Sequence, residues 1–135
     1  MTLEGIDLIS EKDYLAGELV SDLKHEYLGG IVHAMAGGEI RHTRAVGNVF
    51  GSLFGQLRGK GCEPFNSDTK VRIVLPAQAR FYYPDMQVVC ESTGDDESFQ
   101  DKPMVVVEVL SRAPLGGSIW ERSGMLIWRF LRSGL

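Results

Sequence analysis

Apolar residues recur along this chain in two periods, and the changes from one to the other mark out its elements. Ser10-Glu-Lys-Asp13 reads as a helix start, with Ser10 as N-cap and acidic residues in the first turn. The spacing predicts a short helix over 11–19 that buries Tyr14, Leu15 and Leu19. His25–Leu28 and Ile31–Ala36 flank Gly29-Gly30 and read as a β-hairpin, because adjacent glycines supply the positive φ of a tight turn; Gly37-Gly38 breaks it. From about Glu39 to Arg58, Val46, Val49, Phe50, Leu53 and Leu57 recur at three- and four-residue steps, one apolar stripe on a long helix. Gly59-Lys60-Gly61 ends it. Three strand-like runs follow, Thr69–Leu75, Phe81–Cys90 and Pro103–Leu110. The last two are almost continuously apolar, as expected of strands covered on both faces. Glu91–Lys102 between them is polar and acidic, a loop. This order predicts a mixed α/β domain with a central sheet flanked by helices.

Composition narrows this picture. A chain of 135 residues, 44% hydrophobic and 24% charged, fits one domain with a packed core. No run of ~18 apolar residues occurs, so no membrane span is expected. Met1–Ser10 has neither the basic nor the apolar part of a secretory signal. Cys62 and Cys90 stand in no CxxC pattern, which argues against a zinc or redox motif. Read as two free thiols, they point to the cytoplasm. The net charge of −4 argues against a uniformly basic nucleic-acid binder. The distribution is uneven, however. Residues 41–80 carry seven Lys/Arg (Arg41, Arg44, Arg58, Lys60, Lys70, Arg72, Arg80) against two acids. That middle third is either a solvated surface or a face for a phosphate backbone.

Two acids occur where acids are costly. Asp85 follows Pro84 inside Phe-Tyr-Tyr-Pro-Asp-Met-Gln-Val-Val-Cys, and Glu108 interrupts Met-Val-Val-Val-Glu-Val-Leu. A carboxylate in a central strand is unfavourable unless paired or bound to a cation. Asp85 could be a residue at a strand start, and Glu108 could pair with a buried arginine. Together, on adjacent strands, they could instead supply the carboxylate pair that Mg2+ takes alongside waters and phosphate oxygens, for in-line attack on a phosphodiester.

With these residues in view, the chain resembles the PD-(D/E)XK nuclease superfamily, and within it the Uma2 (DUF820) family of restriction-type endonucleases. The segments that carry the resemblance are Lys24-His-Glu-Tyr-Leu-Gly-Gly30, Ala34-Met-Ala-Gly37 before His42, Ser67-Asp-Thr-Lys-Val-Arg72, Tyr82-Tyr-Pro-Asp85 and Val107-Glu-Val-Leu-Ser111. They run in family order over about residues 8–111. The resemblance implies a restriction endonuclease-like α/β core, DNA as partner, and Mg2+ or Mn2+ held by Asp85 and Glu108. Glu26 matches an auxiliary acid of the superfamily, and a solvated hairpin acid is the alternative. His42 matches a recurring histidine at the start of the long helix, either touching phosphate or structural. Lys70, beside Asp68, is structural or adjacent to substrate.

The resemblance stops at Ser111. The superfamily's lysine does not follow Glu108, where Leu110 stands, and no lysine occurs after Lys102. Family members of this type take it from a following helix, reached through E-V-L-S and P-S-T. Codons can be chosen for Ser111 onward such that one inserted C converts them to Pro-Ser-Thr-Ala-Gly-Arg-Phe-Asp-Leu-Gly-Ala-Lys-Trp-His-Ala-Tyr-Leu-Ala-Ile-Pro-Ser-Leu-Arg, the family continuation. The sequence is thus read as residues 1–111 of nuclease core, truncated at its C-terminus by a frameshift, and a divergent apolar tail over 112–135 with impaired catalysis. Trp120, Trp128 and the apolar run Met125–Leu131 predict that the tail covers a sheet edge or joins a homodimer or higher oligomer. A non-catalytic remnant that binds nucleic acid is the rival reading.

Overall fold

The computed structural model describes residues 2–3, 5–35, 37–109 and 126–129. The chain opens with a two-stranded antiparallel ribbon, β1 (Thr2–Leu3) and β2 (Ile6–Asp7), and then forms α1 (Glu11–Val20). Ser10 caps α1 as expected, its Oγ accepting from the Asp13 N–H at 3.1 Å. Tyr14 is buried, but Leu19 is 76% exposed, contrary to expectation. The turn geometry explains this: the position four residues beyond Tyr14 shares its face, and that position is Glu18.

The hairpin forms as β3 (His25–Leu28) and β4 (Ile31–Ala34). Gly29 and Gly30 connect them at φ 58° and 106°, values that side chains resist. Then come α2 (Ile40–Leu57), β5 (Glu63–Asn66), β6 (Lys70–Leu75), β7 (Gln78–Tyr82), β8 (Met86–Val89), β9 (Phe99–Gln100), β10 (Pro103–Val109) and β11 (Leu126–Arg129). The expected single central sheet is in fact two sheets, ordered β4-β3-β7-β6-β9 and β11-β10-β8-β5. The run Phe81–Cys90, expected as one strand, is divided between them. Pro84 is the cause: it has no N–H for a ladder and restricts Tyr83 before it. Tyr83-Pro84-Asp85 therefore carries the chain from one sheet to the other. β8 is buried along its whole length, whereas Met104 of β10 is 54% exposed, so only the first of these runs is covered on both faces.

The core under α1 is aromatic. Tyr14, Tyr27, Phe81 and Phe99 cluster there, with Tyr14 and Tyr27 stacked at 4.9 Å and Phe81 edge-on to Phe99 at 5.5 Å. On the other sheet α2 packs against β5 and reaches β10. No residue of α2 is fully buried, and Phe54 is 51% exposed. Of the tail, only Leu126–Arg129 lies within the described residues; it adds β11 antiparallel to β10. The remainder of the 112–135 reading lies outside them. Among the described residues no helix is long and apolar enough to cross a membrane.

Cys62 and Cys90 are not free thiols; they form a disulfide. The reason is β5, which the sequence conceals because Glu63 and Pro64 are poor strand formers. Its register with β8 pairs Glu63 with Val89 and so brings Cys62 beside Cys90. The cytoplasmic expectation loses the observation it stood on. The bridge spans a sequence separation of 28, and closing a loop of that size is worth about 3.6 kcal/mol. Reduction with dithiothreitol, or Cys62→Ser, is expected to lower unfolding free energy by about that much. Urea denaturation of oxidised and reduced protein measures it; coincident midpoints would contradict the expectation.

Candidate active site

Where the two sheets meet, the corner after β7, the end of β10, the start of α2 and the residues leading into β3 surround a cleft of about 670 Å³. Asp85 reaches it because Pro84 ends one sheet just before β8 begins in the other. Its Oδ2 accepts the Val109 N–H at 2.7 Å and lies 3.1 Å from His42 Nε2. Both donors converge on one oxygen and fix the carboxylate's orientation. Given that partner, Nε2 is assigned the imidazole proton. His42 Nδ1 is then a buried acceptor without a partner among the described residues. It faces Gly38, where a Cβ would come within 2.7 Å of it. Gly38 thus leaves the room that His42 needs.

Glu108 lines the same cleft. Burial, then the charge of Asp85 and a hydrogen bond to it, then the charge of Glu26, push its carboxyl up to about 7. The residue keeps an exposed flank, which limits the burial contribution; the neighbouring like charges are the firmer cause. Glu26, on β3 opposite His33, is therefore close enough to act on Glu108 electrically. Yet among the described residues no three His, Cys, Asp or Glu side chains are grouped to hold a metal ion. The structure brings Asp85 and Glu108 together, with Glu26 at a remove.

His42 meets Asp85 directly. Lys70 does not line the cleft: it is 4% exposed, donates to Ser98 Oγ at 3.1 Å and lies 5.1 Å from the Tyr83 ring centre. Burial lowers its pKa, opposed by Glu18. Both faces are covered at this end of β6, where Lys70 and Val71 are each buried. Two polar features escaped the sequence reading. Glu18 is a buried acid whose Oε2 accepts from Tyr83 Oη at 2.6 Å and from the His25 N–H at 3.1 Å. Burial alone would raise its carboxyl, but the hydrogen bonds from Tyr83 and His25 bring it below the usual range. Lys24, just before β3, lines the cleft; it opens one of the segments that carry the family resemblance, but no role attaches to it there. Only the pairing of distant segments places either residue.

Comparison with known proteins agrees with this picture. A family profile described as "Uma2: Putative restriction endonuclease" matches residues 12–113. The uncharacterized protein slr1290 of Synechocystis sp. is 36% identical over 105 residues, covering 76% of this chain and 54% of its own length. The uncharacterized protein sll1609 of the same organism is 25% identical over 119 residues, covering 86% of this chain and 66% of its own length. The chain thus spans roughly half to two thirds of these relatives. No solved structure matches it. The match over residues 12–113 takes in Asp85 and Glu108 and the elements that carry them, and by it the chain belongs to the Uma2 family.

Proposed function

We propose that the cleft is a phosphodiester-hydrolysing site that acts on DNA with Mg2+ or Mn2+, and that Asp85 and Glu108 hold the ion. The observation that carries the reading is the Asp85–Glu108 pair, two like charges in one cleft whose repulsion adds to burial in raising the Glu108 pKa to about 7. A divalent cation relieves this repulsion. The donors suit a hard ion, which needs one or two carboxylates and takes its remaining ligands from water and phosphate. When bound, the ion would supply positive charge to a phosphate oxygen and help ionise the attacking water. The chain's own part is to hold Asp85 with His42 and the Val109 N–H, leaving Asp85 Oδ1 free of those two contacts. Glu26 adds negative potential at Glu108. The absence of a lysine after Lys102 predicts weak catalysis, because losing one transition-state donor costs ~2.7–4 kcal/mol.

Nicking of supercoiled plasmid in Mg2+ or Mn2+ tests the reading, with wild type run beside Asp85→Ala and Glu108→Ala. Nicking by wild type alone supports it, and equal behaviour of all three refutes hydrolysis. The second reading is a nuclease-fold protein that binds nucleic acid without cleaving it. Exposed Arg41 and Arg44 at the start of α2, with exposed Arg58 and Lys60 just past its end, favour it. Salt-dependent binding without nicking would select it. The half-covered stripe of α2 also favours a homodimer, which light scattering would register as twice the chain mass.

His42 supplies a separate test. His42→Ala, and Gly38→Ala through displacement of His42, are each expected to weaken Mn2+ affinity about 10- to 100-fold, as when partners of metal-holding groups are removed. Calorimetric titration reads this directly. Unchanged affinity in both variants would show that Asp85 needs no support from His42.

A further inference from the structure

We infer that Lys24 is the residue that contacts a substrate phosphate in the cleft; this inference rests on the DNA reading above. Lys24 is the sole Lys or Arg among the described residues that line the cleft with Asp85 and Glu108. Three carboxylates, Asp22, Asp85 and Glu108, make that cleft repel a polyanion, so a cation on its wall has a definite electrostatic use.

The structure holds this ammonium in place without burying it. Its Nζ donates to the Ser67 carbonyl at 3.0 Å and lies 3.4 Å from Ser67 Oγ. It also lies 5.4 Å from the centre of the Tyr83 ring. That ring is anchored in turn, since Tyr83 Oη donates to Glu18 Oε2 at 2.6 Å. Lys70 approaches the same ring at 5.1 Å but is buried, whereas the Lys24 side chain is 40% exposed. Of these two ammonium groups, Lys24 is the one that faces the cleft. Its ion-pair partner is Asp68, at 2.7 Å, whose side chain is 77% exposed. Such a water-exposed pair is weakly held. A phosphate that also contacts the cleft can displace Asp68 while the Ser67 and Tyr83 contacts keep the lysine in position. Lys24 therefore brings a cation to the wall of a cleft in a chain that has no lysine beyond Lys102.

The test is fluorescence anisotropy of a labelled DNA duplex in Ca2+, which permits binding to be read without cleavage. Wild type is compared with Lys24→Gln, Lys24→Arg, Asp68→Asn and Lys102→Gln, the last removing an exposed charge paired with Glu91 outside the cleft. Lys24→Gln is expected to bind several-fold more weakly and to lower the slope of log affinity against log salt by about one. Lys24→Arg should stay near wild type, and Asp68→Asn should bind as tightly or more tightly. Melting temperatures of all variants are recorded alongside. If wild type binds and Lys24→Gln binds equally well, the inference is overturned while the DNA reading stands. A loss in Asp68→Asn equal to that in Lys24→Gln overturns it too, because Lys24 would then act by holding the Ser67–Asp68 turn. An equal loss in Lys102→Gln reduces the effect to general charge and also overturns it. Failure of wild type to bind duplex removes the DNA reading itself.

Discussion

Asp85→Ala and Glu108→Ala are expected to abolish the rise in melting temperature that the proposed binding of Mn2+ should give the wild-type protein, yet to move the metal-free protein in opposite directions. An ion present at a hundred times its dissociation constant stabilises the folded state by about 2.7 kcal/mol. Removing either carboxylate removes that gain. Without metal, Asp85→Ala leaves the Val109 N–H and His42 Nε2 without their acceptor, at a cost of roughly 1–3 kcal/mol. Glu108→Ala, by contrast, removes a carboxylate that burial and then the charge of Asp85 raise from 4.5 to about 7. The sign of the pH dependence follows. Between about 4.5 and 7 the folded protein holds the Glu108 proton and the unfolded chain has lost it. Stability from this group therefore falls as pH rises through that window. At pH 8 the metal-free Glu108→Gln variant should melt above wild type, and at pH 4 the two should coincide. Melting curves at both pH values, with and without Mn2+, check all of this. A metal-free Glu108→Gln protein that melts below wild type at pH 8 would mean that Glu108 has a stabilising partner instead of a repelling one.

The second large effect concerns the segment after Ser111. A chain that carries the re-phased continuation in place of the present residues gains an Asp, a Lys and a Tyr in the order the family resemblance implies. Its plasmid cleavage in Mg2+ is expected to exceed that of the present chain by about 10²- to 10³-fold, the value of one well-placed transition-state donor. Exchanging the new lysine for methionine in that chain should return activity to the present level. Sequencing the encoding gene tests the frameshift separately: codons that cannot be re-phased by one base would remove the basis for it. If the extended chain cleaves no faster, its lysine does not serve this cleft, and Lys24 becomes the first cation to examine.

What the sequence determined by itself was whatever depends on near neighbours along the chain. Ser10 and its acidic first turn specify a helix start, Gly29-Gly30 a reversal, and the three- and four-residue spacing from Val46 to Leu57 a helix of the observed extent. Motif order carried the family, and acids in apolar runs marked Asp85 and Glu108 before their surroundings were known. Tertiary structure decided what depends on segments far apart. Pro84 breaks a run that reads as one strand, and only the second sheet shows where the chain goes next. Cys62 meets Cys90 because a strand with poor intrinsic propensity is held by its neighbour β8. Leu19 is exposed because Glu18 takes the inward position, drawn by Tyr83 and His25 from other elements. Lys24 and Lys70 look alike in sequence and approach the same tyrosine ring, yet one lines the cleft and the other is buried in the core. Periodicity records which side of an element turns inward; the charge and chemistry that await it there are supplied by residues dozens of positions away.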